Sequence, residues 1–459
     1  MGEMKEACLS NVIYRTYSNA GKKEVQETYH IPKEMPLIVD SILPFTTEPL
    51  QGDSIHRWYR TIMGFDWKLV QYVIDILRIR PDHTVLDPFC GAGTTLVQCK
   101  KNGIPSVGID ANPVCTLATQ VKTQWSMHPQ RLMKLLELII VQADRIFENK
   151  LIENDPALLY LKNCGMIDRG WLSFYKAKKL VSLRAAIKAL NMKREEHEFF
   201  MLCLISASVY RIADIKFGPE VYCLTKPRRS SVNGSFETQA RLMIADVGQA
   251  IESQNEKKSA LVCLGDSRKE SDLVSAVPRG ADYIITSPPY PNEHDYTRCT
   301  RLELILLGHV QTLNDLRQLK QRMVRCNTKG IYVGDTDSRL VSRYRNVQKV
   351  ATVLEEKAIG RTDGFSKLYG RMVREYFGGM VAHLRGAMKA LRSGGRCAYV
   401  LKDQQALLGV HLDTPTILSA LATSRGQGFK LQDVIEWKKA RGTTGSRTLS
   451  ERIIVLRKD

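Results

Sequence analysis

Apolar residues recur at helical spacing through residues 66–80, DWKLVQYVIDILRIR, and Pro81-Asp82 ends that pattern ahead of a strand-like run, HTVLDPF, at 83–89. The run passes straight into Cys90-Gly91-Ala92-Gly93-Thr94-Thr95. TTLVQCKKNG then returns to helical spacing and closes at Gly103, and PSVGID gives a second strand ending in Asp110. Strand, glycine turn, helix and strand with an acidic tip predict the first half of a doubly wound α/β domain.

Past Asp110 the alternation stops. From Pro113 to Lys258 the spacing is mostly helical, as in RLMKLLELIIVQADRIF, AKKLVSLRAAIKAL and HEFFMLCLISASVYRIADI, broken by the polar, basic TKPRRSSVNG at 225–234. Strand patterns resume with SALVCLGDS at 259–267 and ADYIITSPPY at 281–290. The helix-like RLELILLG follows, and then a second excursion, 311–365, that is rich in Arg and Lys. The pattern closes with a helix at 373–391, a Ser-Gly-Gly turn at 393–395, strands at 396–403 and 431–439, a loop at 440–450 and a last strand at 451–458.

Charge changes the picture more than composition does. Hydrophobic residues make up 44% of the 459 and charged ones 25%, ordinary for a globular chain. Lys and Arg number 67 against 48 Asp and Glu, a formal charge of +19, which favours a polyanionic partner such as nucleic acid over a membrane surface. No uncharged apolar run is long enough to span a bilayer, and the opening residues hold no signal-peptide core. The 11 cysteines contain no CxxC pair and several sit in apolar strings, and the 9 histidines are dispersed. The expectation is reduced thiols in a cytoplasmic protein, with no metal site.

Candidate chemistry gathers at the strand ends. Asp87 ends the first strand, and Gly91 and Gly93 let backbone approach a ligand closely there. The turn lacks the third glycine of a dinucleotide fingerprint, and Asp87 would repel a diphosphate. A cationic ligand with a free amino group suits the site better, its ammonium held by Asp87 directly or through water. Asp110 is placed to accept from both ribose hydroxyls. Asp266 could accept from an adenine amino group, with Ser267 or nearby backbone against the ring. Thr94 completes this set.

Ser287-Pro288-Pro289-Tyr290 follows the strand DYIIT. Two prolines fix two φ angles and remove two donors, which leaves the Ser287 hydroxyl and a carbonyl of the Ser287-Pro288 region as acceptors for an amino group. Tyr290 offers a face for stacking on a base, a contact generally worth about 1 to 3 kcal/mol.

These residues carry a resemblance. DPFCGAGTT at 87–95 resembles the S-adenosylmethionine loop of the DNA amino-methyltransferase family, and SPPY at 287–290 resembles its catalytic motif, with serine first as in the N4-cytosine branch. GDS at 265–267 matches the strand end that precedes that motif. The resemblance implies a Rossmann-like class I fold: a mostly parallel seven-stranded sheet with an antiparallel terminal strand, the last strand slotted between neighbours, plus a largely helical insertion. It implies that Asp87, Phe89, Gly91 and Gly93 surround the methionine part of the cofactor, Asp110 the ribose and Asp266 the adenine, while Ser287, Pro288 and Tyr290 form the amino-group pocket. IHRWYRTIMGFDWKLV at 55–70 is similar to a segment that closes over the cofactor in some members. There Phe65 is either an aromatic wall or a core residue.

The segments are then 1–112, the N-terminal part and first half of the catalytic domain; 113–258, a helical insertion and candidate target-recognition region; 259–310, the catalytic domain continued; 311–365, a basic insertion for DNA contact; and 366–459, the domain completed. The large insertion between the second and third core strands departs from the family's usual arrangements. Arg228, Arg229, Arg339, Arg343, Arg345, Arg441 and Arg447 are the candidate phosphate contacts, with ordinary solvated surface the competing reading for each segment.

The expected activity is direct methyl transfer from S-adenosylmethionine to cytosine N4 in double-stranded DNA, after base flipping. Adenine N6, an RNA amino group and a noncatalytic DNA-binding subunit are the alternatives. Cytosine C5 chemistry lacks its Pro-Cys pair. A separate restriction endonuclease is the expected partner of a restriction-modification enzyme, since no nuclease motif is evident in the chain.

Overall fold

The computed structural model describes residues 54–61, 64, 66–216, 221–252, 259–405, 407–441 and 448–459, together with two short paired strands at Ser10–Ile13 and Thr28–Ile31. At its centre are seven strands: β1 (Val85–Asp87), β2 (Ser106–Asp110), β3 (Ala260–Leu264), β4 (Ala281–Thr286), β5 (Leu391–Lys402), β6 (Phe429–Arg441) and β7 (Thr448–Lys458). Their order across the sheet is β6-β7-β5-β4-β1-β2-β3. β7 runs antiparallel to both β5 and β6, and the pairs from β5 to β3 are parallel. This is the class I methyltransferase sheet, with the last strand slotted between its neighbours.

Helix α1 (Trp67–Ile76), capped by Asp66, covers one face of the sheet. Beyond β1, α2 (Thr94–Lys101) starts at Gly93, whose φ of +82° only glycine adopts without strain, and a Cβ there would stand 2.9 Å from the Thr119 side chain. Helix α3 (Pro113–Lys122) follows β2, its first turn capped by the Asn112 side chain.

Helices α4 (Pro129–Glu148), α5 (Pro156–Asn163), α6 (Phe174–Ala189), α7 (Arg194–Ala207) and α8 (Val232–Glu252) then build a second apolar core. Helix α4 shows why. Leu132, Leu135, Leu136, Ile139, Ala143 and Ile146 fall on one face and are buried, while Leu138 and Val141 point outward. Ser208–Ile212 continues α7 as a π turn.

After β3, α9 (Glu270–Ala276) leads to β4. Helices α10 (Tyr296–Cys299), α11 (Arg301–Leu307), α12 (Leu313–Gln321) and α13 (Arg345–Ala358) precede the long α14 (Tyr369–Ala390), which packs on the sheet face opposite α1. Gly378 and Gly379 of α14 meet the turn Asp337–Val341 so closely that a Cβ on Gly378 would lie 1.9 Å from the Asp337 carbonyl oxygen. Helix α15 (Thr414–Ala422) joins β5 to β6.

Two expectations change in detail. The Ser-Gly-Gly segment is a bulge inside β5 rather than a turn before it: Leu391 pairs with Ala281 and Arg396 with Tyr283, so the extra residues loop out, with Gly394 at φ +74°. The expected loop at 440–450 is shorter, because hairpin pairing carries β6 to Arg441 and β7 back to Thr448. No described helix is long and apolar enough to cross a membrane.

Candidate active site at the carboxyl edge of the sheet

The parallel strands end on one edge, and a single cavity there is lined by Gly91, Asp110 and Asp266 and also by Ser287, Pro288 and Tyr290. Phe89, Thr94, Ser267 and Pro289 line it as well. Asp87 is fully buried beneath the glycine turn. Its Oδ1 accepts from the Thr286 hydroxyl (2.7 Å) and the Phe89 amide (3.1 Å), and its Oδ2 has no hydrogen-bond partner. Burial pushes this carboxyl up to about 6. Asp110 accepts from the Gly91 amide (2.9 Å) through Oδ2 and from the Asn112 amide (2.8 Å) through Oδ1, and burial lifts it to about 6 as well.

The third acidic tip is built differently. Both oxygens of Asp266 take guanidinium protons from Arg268, at 3.0 and 2.7 Å, and Arg268 also reaches Asp337 at 2.8 Å. An adenine amino group would share Asp266 with that arginine. The Ser267 hydroxyl donates to the Pro88 carbonyl, which joins this tip to the end of β1. Behind it His383 is fully buried, with Nδ1 2.9 Å from the Ser267 carbonyl and Nε2 2.8 Å from the Tyr399 hydroxyl. Burial lowers this imidazole to about 4, so at neutral pH it is uncharged, Nδ1–H donating to the carbonyl and Nε2 accepting from the tyrosine. Its ring packs on Phe89 at 4.8 Å.

At the proline corner the Ser287 and Tyr290 hydroxyls are 3.1 Å apart, and Glu451 of β7 also hydrogen-bonds Tyr290. Tyr290 is only 4% exposed, so its ring is held rigidly at the cavity wall. The chain leaves this corner through Glu293, a non-glycine residue at φ +68° whose carboxylate takes the Thr328 amide (2.8 Å) and hydroxyl (3.0 Å). That contact folds residues 322–330 against the cavity, where Arg322, Cys326, Asn327 and Gly330 form a wall.

Residues 63–120 match the DNA methylase family model. The chain is also 25% identical over 435 residues to the Type II methyltransferase M.AvaI of Nostoc sp., an alignment covering 88% of this chain and 86% of that protein. M.BsoBI of Geobacillus stearothermophilus is 25% identical over 301 residues, covering 61% of this chain and 57% of that protein. A 52-residue stretch, 11% of this chain, is 50% identical to M.MjaII of Methanocaldococcus jannaschii. The family model that matches residues 63–120 covers methylases of the N6 and N4 type taken together.

The basic candidates lie apart from one another. Arg228 is half-buried, its guanidinium donating to the Tyr210 and Ile215 carbonyls at 2.6 and 3.2 Å, so it braces a loop. Arg229 is exposed nearby. Arg339, Arg343 and Arg345 are exposed, but Tyr344 bonds Ser424 just beyond α15 (2.7 Å), and α15 there returns the chain toward the start of β6. That end of α15 is the far one from the cavity. Arg441 belongs to β6, its side chain outside the described residues, and Arg447 and Phe65 lie outside them entirely.

Sequence reasoning missed how the segment before α1 is secured. Thr61 and Gly64 line the cavity. Just upstream, the buried Lys122 ammonium donates to the carbonyls of His56 (3.2 Å), Tyr59 (2.5 Å) and Ala92 (2.9 Å), stitching this strap to the glycine turn. The helical insertion grips it from the other side: Asp246 of α8 takes Trp58 Nε1 (2.8 Å) and the Arg57 guanidinium, and the Tyr210 hydroxyl bonds both the amide and the carbonyl of Arg60. Lys122 ends a helix as an ordinary basic residue would, so no sequence signal singled it out.

Proposed function

We propose that the chain transfers a methyl group from S-adenosylmethionine to the exocyclic N4 of cytosine in double-stranded DNA. The observation that carries this reading is the single cavity shared by the glycine turn and the Ser-Pro-Pro-Tyr corner. The turn fits the cofactor in three respects. Asp87 keeps a buried oxygen without a partner, suited to an ammonium. Gly91, at φ +51°, brings backbone to the cavity without a side chain, and Gly93, at φ +82°, lets the turn pack on Thr119 behind it. Asp110 takes two backbone amides and retains lone pairs for ribose hydroxyls. Bound there, S-adenosylmethionine supplies an electrophilic methyl on a sulfonium.

The protein's own part is positioning. An exocyclic amino nitrogen is a weak nucleophile because its lone pair is delocalised into the ring. Acceptors on its hydrogens, the Ser287 oxygen first, favour a pyramidal nitrogen with its lone pair aimed at the methyl. Glu451 holds the Tyr290 hydroxyl, so Ser287 is free to donate to Tyr290 and present its own lone pairs to the base. A base leaving the duplex costs a few kcal/mol, part of which stacking on Tyr290 offsets. Serine as the first residue of the motif favours cytosine, and similarity to Type II methyltransferases favours a separate restriction endonuclease as partner.

The test is transfer of labelled methyl from the cofactor to duplex DNA, with the product nucleoside identified by mass spectrometry and its positions mapped after expression in a methylation-free host. N4-methylcytosine is expected. N6-methyladenine would overturn the base assignment, and labelling of structured RNA alone would overturn DNA as substrate. DNA affinity should fall steeply with salt as phosphate contacts release counterions.

A further inference from the structure

One buried polar atom on the 322–330 wall is unused. Asn327 is 7% exposed and lines the cavity, and its Oδ1 has no hydrogen-bond partner. The orientation of the amide is settled by chemistry: Nδ2 donates to the His294 carbonyl at 3.0 Å, and turning the amide over would set two carbonyl oxygens against each other. The open atom is therefore an acceptor, and a buried acceptor without a donor is costly. Its place beside the catalytic corner is fixed by two further contacts, the Glu293 amide on the Cys326 carbonyl (3.2 Å) and the Glu293 carboxylate on Thr328. The neighbouring cavity residue is Gly330, where a Cβ would sit 3.5 Å from Oδ1.

We infer that Asn327 Oδ1 shares one hydrogen of the target base's amino group with the carbonyl of the Ser287-Pro288 region while the Ser287 hydroxyl accepts the other. This rests on the methyltransferase reading and deepens it. An exocyclic amino group is the one hydrogen-bond donor on the base edge of a cytosine, so an acceptor at this place matches that group and rejects a carbonyl oxygen. Thymine, with a carbonyl at the same position, would meet Asn327 oxygen against oxygen. Asn327 thus contributes to the choice of base as well as to the geometry of the nitrogen.

Two variants test it, with single-turnover methyl transfer from labelled S-adenosylmethionine and cofactor affinity measured in parallel. Asn327→Ala removes the acceptor. Gly330→Ser leaves every Asn327 bond in place but offers Oδ1 an internal hydroxyl, which occupies it. Asn327→Ala should slow transfer about 100-fold and Gly330→Ser about 10-fold, with cofactor affinity within about 2-fold of wild type in both, since the glycine turn is untouched. Wild-type transfer rates in both variants would overturn the inference and leave the methyltransferase reading standing. Loss in Asn327→Ala with full activity in Gly330→Ser would also overturn it, reducing Asn327 to a brace for the His294 carbonyl. A wild-type protein that labels no nucleic acid would overturn the underlying reading and this inference together.

Discussion

On the glycine-turn side, Asp110 at the cavity and Asp87 buried behind it are held by hydroxyl and amide donors, and no salt bridge to either is found among the described residues. On the opposite side the acids are matched with bases: Asp295 with Lys320 at 2.7 Å, Asp335 with Arg325 at 2.7 Å, and Asp266 with Arg268. The titration behaviour follows. Burial raises Asp87 and Asp110, whereas for Asp295 and Asp335 burial pushes up but the Lys320 and Arg325 charges more than offset it, leaving both below the usual carboxylate range. A side whose acids lack a charged partner suits the cation proposed to bind there. A wall that neutralises its own charges is scaffold, and on it an atom left open, such as Asn327 Oδ1, stands out.

The largest effect is expected where the scaffold loses a partner. Arg325 is 4% exposed, and Arg325→Ala strands the Asp335 carboxylate, so unfolding by denaturant should show a loss of about 3 to 5 kcal/mol. Asp87→Asn should behave in the opposite sense. The buried charge is removed, so the free protein at pH 7.5 should gain up to about 3 kcal/mol, the equivalent of a shift of about two pKa units. Cofactor affinity measured by calorimetry should nevertheless fall about 100-fold, in line with loss of a charge-assisted contact. An Asp87→Asn protein that binds cofactor normally would refute the ammonium assignment.

A smaller effect sharpens the same contrast. The folded state holds the Asp87 proton more tightly than the unfolded chain does, so this residue's contribution to stability is present below about pH 4 and is lost as pH rises through about 6. Cofactor affinity must run the other way, level above about pH 6 and falling below it, since the cation requires the carboxylate. In Asp87→Asn the slope should flatten, leaving only the share due to Asp110. The smallest expected change is in Arg345→Ala, which should alter DNA affinity by less than about 2-fold, as for an exposed residue remote from the cavity. A large loss there would relocate the DNA path to the α13 side of the molecule.

The glycine-turn wall could be read from the sequence because its chemistry is local. Gly93 needs a left-handed backbone just after the strand that Asp87 ends, Asp110 ends the next strand, and the two prolines make their corner within a four-residue motif of their own. The scaffold wall and the strap before α1 were not readable, because both join residues that only folding brings together. Asn327 reaches His294 across 33 positions, and Lys122 reaches His56 and Tyr59 across 66 and 63. Neither contact leaves a periodic trace. Residues 311–365 show an excess of basic residues, yet several of those charges are spent internally, Lys320 on Asp295 and Arg325 on Asp335, and what reads as a surface for phosphates is partly an inner brace. Arg228 misleads in the same way, since composition cannot separate a guanidinium facing solvent from one bound to carbonyls.

Gly378 gives the Asp266 end of the cavity a remote point of control. The Asp337 backbone rests directly on this helix position, and Asp337 in turn holds the arginine that clasps Asp266. A single methyl introduced there acts as a wedge under the turn and drags the clasp with it, so an alanine at a position outside the cavity would loosen the cavity's Asp266 end.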